Sequence, residues 1–144
     1  MAIQEAQTIL DCEIERGDFS RGGEASSKLK GILQKLGIPT KVIRKISIST
    51  YELEMNIIIH SEGGNLKAKV DSEKIKIIAN DNGPGIEDIE QAFKPGYSTA
   101  DESIRELGFG AGMGLCNIKR YSDEIDVESE LGVGTKIEVD IYFN

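Results

Sequence analysis

The residues of this chain that could do chemistry fall into three clusters. Gly108-Phe109-Gly110-Ala111-Gly112-Met113-Gly114-Leu115 sets glycines on alternate positions directly before an apolar helical stripe begun by Leu115 and Ile118. Such a run exposes successive backbone N–H groups and ends on a helix N-terminus, a site for phosphate. A flexible linker is the competing reading, and it fits less well because linkers are usually flanked by polar residues. Upstream, Asp81-Asn82-Gly83-Pro84-Gly85-Ile86 directly follows a predicted strand. As chain geometry it is a turn. As chemistry, Asp81 accepts a hydrogen bond from an exocyclic amine while the glycines let a planar base lie against backbone, so that a buried polar group selects the base. Glu52 and Asn56, spaced i, i+4, share one helix face. They form either a solvated polar stripe, or a carboxylate that activates a nucleophile beside an amide oxygen that ligates Mg²⁺, a hard cation preferring oxygen. His60, one turn further on, reads as a packing residue. Gly132-Val133-Gly134-Thr135 taken alone is a hairpin turn, and Cys12 and Cys116 read as small buried hydrophobes.

These residues need elements to position them. Residues 9–15 place Leu10, Cys12 and Ile14 on one side and acids on the other, a half-buried strand. Ser20 can cap a helix carrying Ala25, Leu29, Ile32, Leu33 and Leu36 on one stripe, stopped by Gly37 and Pro39. A second helix runs from about Lys41 to His60, with Val42, Ile46, Leu53 and Ile57 facing inward, and ends at Ser61-Glu62-Gly63-Gly64. Leu66/Ala68/Val70 and Ile75/Ile77/Ala79 alternate around Asp71-Ser72-Glu73 as an antiparallel hairpin. Residues 87–93 read as a short helix, residues 94–107 as loop plus a weak helix, and residues 115–121 as a further helix. A second hairpin pairs residues 125–128 with 136–143, turning at Gly132-Val133-Gly134. Hairpins with helices on one face describe an α+β fold: a two-layer α/β sandwich with a mixed, mostly antiparallel sheet.

Composition removes several function classes. Seventeen basic residues against 25 acidic give a net charge of −8, which argues against nonspecific nucleic-acid binding or an anionic membrane surface. No apolar run approaches the ~18–20 residues of a membrane span, and the start lacks the basic and apolar regions of a signal peptide. Two cysteines with no CxxC indicate neither a disulfide framework nor a zinc site. The chain has no GxxxxGK[ST], no strict GxGxxG and no HRD or DFG, and a single His excludes HExxH. One soluble, cytoplasmic domain spanning 1–144 is expected.

In this order, the pieces resemble the GHKL (Bergerat-fold) ATPase superfamily. Glu52-Leu53-Glu54-Met55-Asn56 is similar to its N-box, and Asp81-x-Gly83-x-Gly85 to its first glycine box. Gly108-x-Gly110-x-Gly112-Met113-Gly114-Leu115 is similar to the second box, and Gly132-x-Gly134-Thr135 to the third. The resemblance covers residues 7 to 143. It is greatest to the stand-alone bacterial anti-sigma factor and switch serine/threonine kinases of partner-switching pathways, whose lid segment Ala92-Phe93-Lys94-Pro95-Gly96-Tyr97-Ser98-Thr99 also resembles. The resemblance implies that Glu52 is the general base, Asn56 the Mg²⁺ ligand and Asp81 the adenine anchor. Gly83 belongs with Asp81 in the first box, and Gly85 and Thr135 would line the adenine slot. Gly108, Gly110, Gly112, Met113, Gly114 and Leu115 belong to the phosphate cradle, with Lys94, Ser98, Thr99 and Arg105 as lid candidates near the γ-phosphate.

The activity so implied is ATP-dependent transfer of phosphate, with Mg²⁺, to a serine or threonine of a STAS-domain antagonist protein. The alternative is a nucleotide-gated module that binds a sigma factor or other partner with little or no phosphotransfer. A homodimer is compatible with the resemblance.

Overall fold

The computed structural model describes residues 6–17, 19–86, 89, 93 and 114–144. Strand β1 (Gln7–Ile14) leads through a 3-10 turn (Phe19–Arg21) into helices α1 (Glu24–Lys35) and α2 (Thr40–His60). Strands β2 (Gly64–Val70) and β3 (Lys74–Asp81) follow, then helix α3 (Gly114–Tyr121) and strands β4 (Glu124–Glu130) and β5 (Gly134–Tyr142). The strands form one sheet in the order β1-β2-β3-β5-β4. Every neighbouring pair is antiparallel, where the sequence allowed some parallel pairing. Two hairpins and the return of β5 alongside β3 leave no crossover that would bring two described strands side by side in the same direction.

Period-two patterning decides which face is covered. Leu66, Ala68 and Val70 on β2, Ile75 and Ile77 on β3, and Ile137, Val139 and Ile141 on β5 are buried. Leu29 and Leu33 of α1, Ile46, Leu53 and Ile57 of α2, and Ile118 of α3 pack over them, each fully buried side chain contributing about 1.5–3 kcal/mol. The other face of the sheet carries charge. Lys74 and Lys76 meet Asp140 at 3.3 and 3.5 Å, and Lys76 and Lys136 meet Glu138 at 3.5 and 3.2 Å. Cys12 and Cys116 are free and half-buried rather than fully enclosed.

Helix α1 corrects two expectations. Ser20 lies in the 3-10 turn and does not cap it; the helix starts behind Gly23, whose φ of +93° turns the chain, with no side-chain cap of its own. Its first amides are satisfied from another helix: Oε2 and Oε1 of Glu54, on α2 and 1 % exposed, accept from the N–H groups of Ala25 (3.1 Å) and Ser26 (3.2 Å). Leu36 is 50 % exposed, because it closes the helix: Ile38 N–H returns to the Leu33 carbonyl at 3.2 Å and Gly37 takes φ +76°. Helix α2 is the spine, packed between α1 and α3 over the sheet. No described helix is long and apolar enough to cross a membrane. The elements expected over residues 87–107 fall almost wholly outside the described residues.

Candidate active site

The site is built where β3 ends. Asp81, its last residue, lies opposite Thr135 on β5. Asp81 Oδ1 accepts from the backbone N–H of Gly83 at 2.9 Å and of Thr135 at 3.2 Å. Among the described residues no donor reaches Oδ2. Partial burial pushes the Asp81 carboxyl above its ordinary value, and the two amides pull it back. The strands can approach this closely because position 134 is glycine: a Cβ there would stand 2.0 Å from the Asp81 carbonyl oxygen.

The loop after Asp81 is clasped to the β4–β5 hairpin. Gly132 N–H donates to the Pro84 carbonyl at 2.9 Å, and Ile86 N–H to Ser129 Oγ at 2.7 Å. Ser129 Oγ also lies 3.0 Å from the hydroxyl of Thr135, which is 7 % exposed. Gly85 takes φ +82°, and a Cβ on it would lie 2.6 Å from the Glu130 carbonyl oxygen. Its small size is therefore required by the hairpin as well as by any base.

Glu52, Asn56 and His60 occupy successive turns of α2. At 1.5 Å per residue they extend about 12 Å along the helix. The far end adjoins the Asp81 loop, since a Cβ on Gly83 would lie 3.0 Å from the His60 carbonyl oxygen. Glu52 and Asn56 are half-buried. Burial raises the Glu52 carboxyl above its ordinary value, opposed by a hydrogen bond from Asn117 of α3, whose Nδ2 lies 3.4 Å from Oε1. Burial also lowers His60, favouring the neutral imidazole. Gly114 and Leu115 form the first turn of α3, and Lys119 of the same helix stands 5.5 Å from the ring centre of Phe93.

Asp81, Gly83, Gly85 and Thr135 thus gather where β3 ends against the β4–β5 hairpin, beside the C-terminal end of α2, and Glu52 faces α3 two turns earlier along that helix. Lys94, Ser98, Thr99, Arg105, Gly108, Gly110, Gly112 and Met113 lie outside the described residues. Asn117 and Ser129 were missed from sequence. Ser129 had a signal, its register opposite Thr135; a single Asn in a short helix has none. Among the described residues no three His, Cys, Asp or Glu side chains cluster as a metal cage, and Mg²⁺ beside nucleotide phosphates needs only one or two protein oxygens, which Asn56 fits. A cavity of about 400 Å³, lined by Cys12, Arg21, Glu24, Lys28, Glu54 and Ile58, lies between β1, α1 and α2 and contains none of the expected site residues.

Residues 43–144 match the family of histidine kinase-, DNA gyrase B- and HSP90-like ATPases. The chain is 32 % identical over 113 residues to the serine/threonine-protein kinase RsbT of Bacillus subtilis, covering 76 % of this chain and 79 % of RsbT. It is 36 % identical over 105 residues to the anti-sigma F factor of a Thermoanaerobacter species, covering 69 % and 70 %. A chain of the SiaB–SiaC complex from Pseudomonas aeruginosa superposes with a TM-score of 0.64 at 14 % identity, covering 93 % of this chain and 89 % of that one. The mycobacterial sensor histidine kinase MprB does so with 0.52 at 14 % identity, covering 92 % and 97 %. These two share its fold.

Proposed function

Because the chain belongs to the family of histidine kinase-, DNA gyrase B- and HSP90-like ATPases, we propose that it is an ATP-dependent protein serine/threonine kinase acting on a STAS-domain antagonist protein. The observation that carries this reading is Glu52: a half-buried carboxylate, touched by one amide, on the same helix face as Asn56. ATP enters with its adenine toward Asp81, whose unused Oδ2 accepts from the exocyclic amine, while Gly83, Gly85 and Thr135 line the slot. By the sequence resemblance, Gly108, Gly110, Gly112, Met113, Gly114 and Leu115 would serve the phosphates, and Lys94, Ser98, Thr99 and Arg105 would be the lid residues near the γ-phosphate. Asn56 would hold Mg²⁺, which would offset negative charge on the phosphates.

Glu52 then takes the proton of the substrate hydroxyl. The seryl or threonyl oxygen forms its bond to the γ-phosphorus as the bond to the bridging oxygen breaks, and ADP leaves with that electron pair. Positioning and electrostatics supply most of the acceleration in such a transfer. The added phosphate places charge on the substrate's interface and changes its partner.

Intact-mass analysis of STAS-domain proteins from the same genome, incubated with the chain, Mg²⁺ and ATP, tests this. One added phosphate on one candidate, reduced to a slow residual rate with Glu52→Gln, is expected; transfer unchanged by Glu52→Gln overturns the assigned base. The anti-sigma F factors among the relatives favour a second activity, binding of a sigma factor gated by the nucleotide. Binding of a partner that differs between ATP and ADP, with no mass gain on any candidate, would establish that activity alone.

A further inference from the structure

Among the described residues, the side chain that hydrogen-bonds Glu52 belongs to no expected site cluster. Helix α3 starts at Gly114, the last glycine of the run, and Asn117 sits one turn into it. Its Nδ2 donates to Glu52 Oε1 at 3.4 Å, and among the described residues no other donor reaches this carboxylate. The bond spans two helices 65 residues apart in sequence. Among the described residues it leaves Oε2 uncommitted. Leu115 and Ile118 seat α3 against the core, so the amide is carried on a packed helix whose N-terminus is the end of the phosphate loop.

Resting on Glu52 as the base, we propose that Asn117 is a positioning residue: it fixes one carboxylate oxygen so that the other faces the substrate hydroxyl, and ties the orientation of the base to the helix that follows the phosphate loop. Neither an apolar nor an anionic side chain can do this. Asn117→Leu removes the donor at similar volume, and Asn117→Asp replaces it with a repelling charge at nearly unchanged shape.

The test is the steady-state rate of transfer from ATP to the STAS-domain protein that gains phosphate, together with ADP affinity and melting temperature for each variant. Both substitutions are expected to lower kcat on the order of tenfold or more, with KM for ATP and ADP affinity held. In a Glu52→Gln background, Asn117→Leu should cause no further loss of the residual transfer, because the two residues act as a unit. The inference is overturned if kcat is unchanged, if ADP affinity falls in step with it, or if the loss recurs in the Glu52→Gln background. Full transfer by Glu52→Gln with wild-type partners would instead remove the base itself, a failure distinguishable from that of Asn117.

Discussion

Glu52 and Asp81 are held in environments that disfavour their charged forms, and the consequence for stability has a definite sign. Burial raises both carboxyls in the folded state. Relative to an unfolded carboxylate near pH 4, the folded protein therefore loses stability as pH rises through the raised values, and the loss persists at neutral pH. Glu52→Gln should accordingly melt higher than wild type at pH 7, with the difference shrinking as pH approaches 4; a constant difference across that range would show that the carboxylate is not strained by burial. The same shift sets activity. Transfer should fall, as pH is lowered, at a value raised by burial above that of a free glutamate, and Asn117→Leu should move that limb upward by removing the bond that opposes burial. Glu52, Asn56 and Asp81 could be named as candidates from the sequence because residue type and spacing, taken with the order of the four motifs, pick them out. Asn117 could not, since its meaning comes from packing α3 against α2.

At the scale of elements, α2 serves two neighbours from two sides. Glu52 turns toward α3, while Glu54, two residues on, supplies the N-terminal cap that α1 lacks. Glu54→Ala leaves two buried amides without acceptors and should cost about 3 kcal/mol, read as a lower denaturant midpoint at unchanged m-value; a midpoint within experimental error of wild type would mean that water replaces the carboxylate. Gly134→Ala presses a methyl against the Asp81 carbonyl and should both destabilise the sheet and weaken ADP binding, because the Thr135 amide that holds Asp81 moves with β5. Retained ADP affinity in a destabilised Gly134→Ala protein would separate the two effects. The strands were read correctly because alternation is a local pattern. The missing cap of α1 was misassigned to Ser20 because the true partner of its first amides lies 28 and 29 residues downstream in another helix.

At the scale of the whole molecule, the described residues form a sheet with one face sealed by helices and the other laced with lysine–carboxylate pairs, and the proposed nucleotide site lies where β3 ends beside the spine helix. A ligand that binds only the folded state stabilises it in proportion to ln(1 + [L]/Kd), about 2.7 kcal/mol at a hundredfold excess over Kd. ADP with Mg²⁺ should therefore raise the melting temperature of the wild-type chain, and at the same concentrations raise it far less in Asp81→Asn. That substitution keeps an acceptor for the Gly83 and Thr135 amides yet can present a donor where the adenine amine needs an acceptor. The fold class was legible from hairpins and helices in order, and the all-antiparallel pairing was not, because it depends on where β5 returns. The most direct measurement is a calorimetric titration of ADP and Mg²⁺ into the wild-type chain and into Asp81→Asn. Saturable one-to-one binding to the wild type, weakened about tenfold or more by the substitution, is the predicted result. No binding, or equal binding by both, would contradict the placement of the nucleotide and the activity built on it.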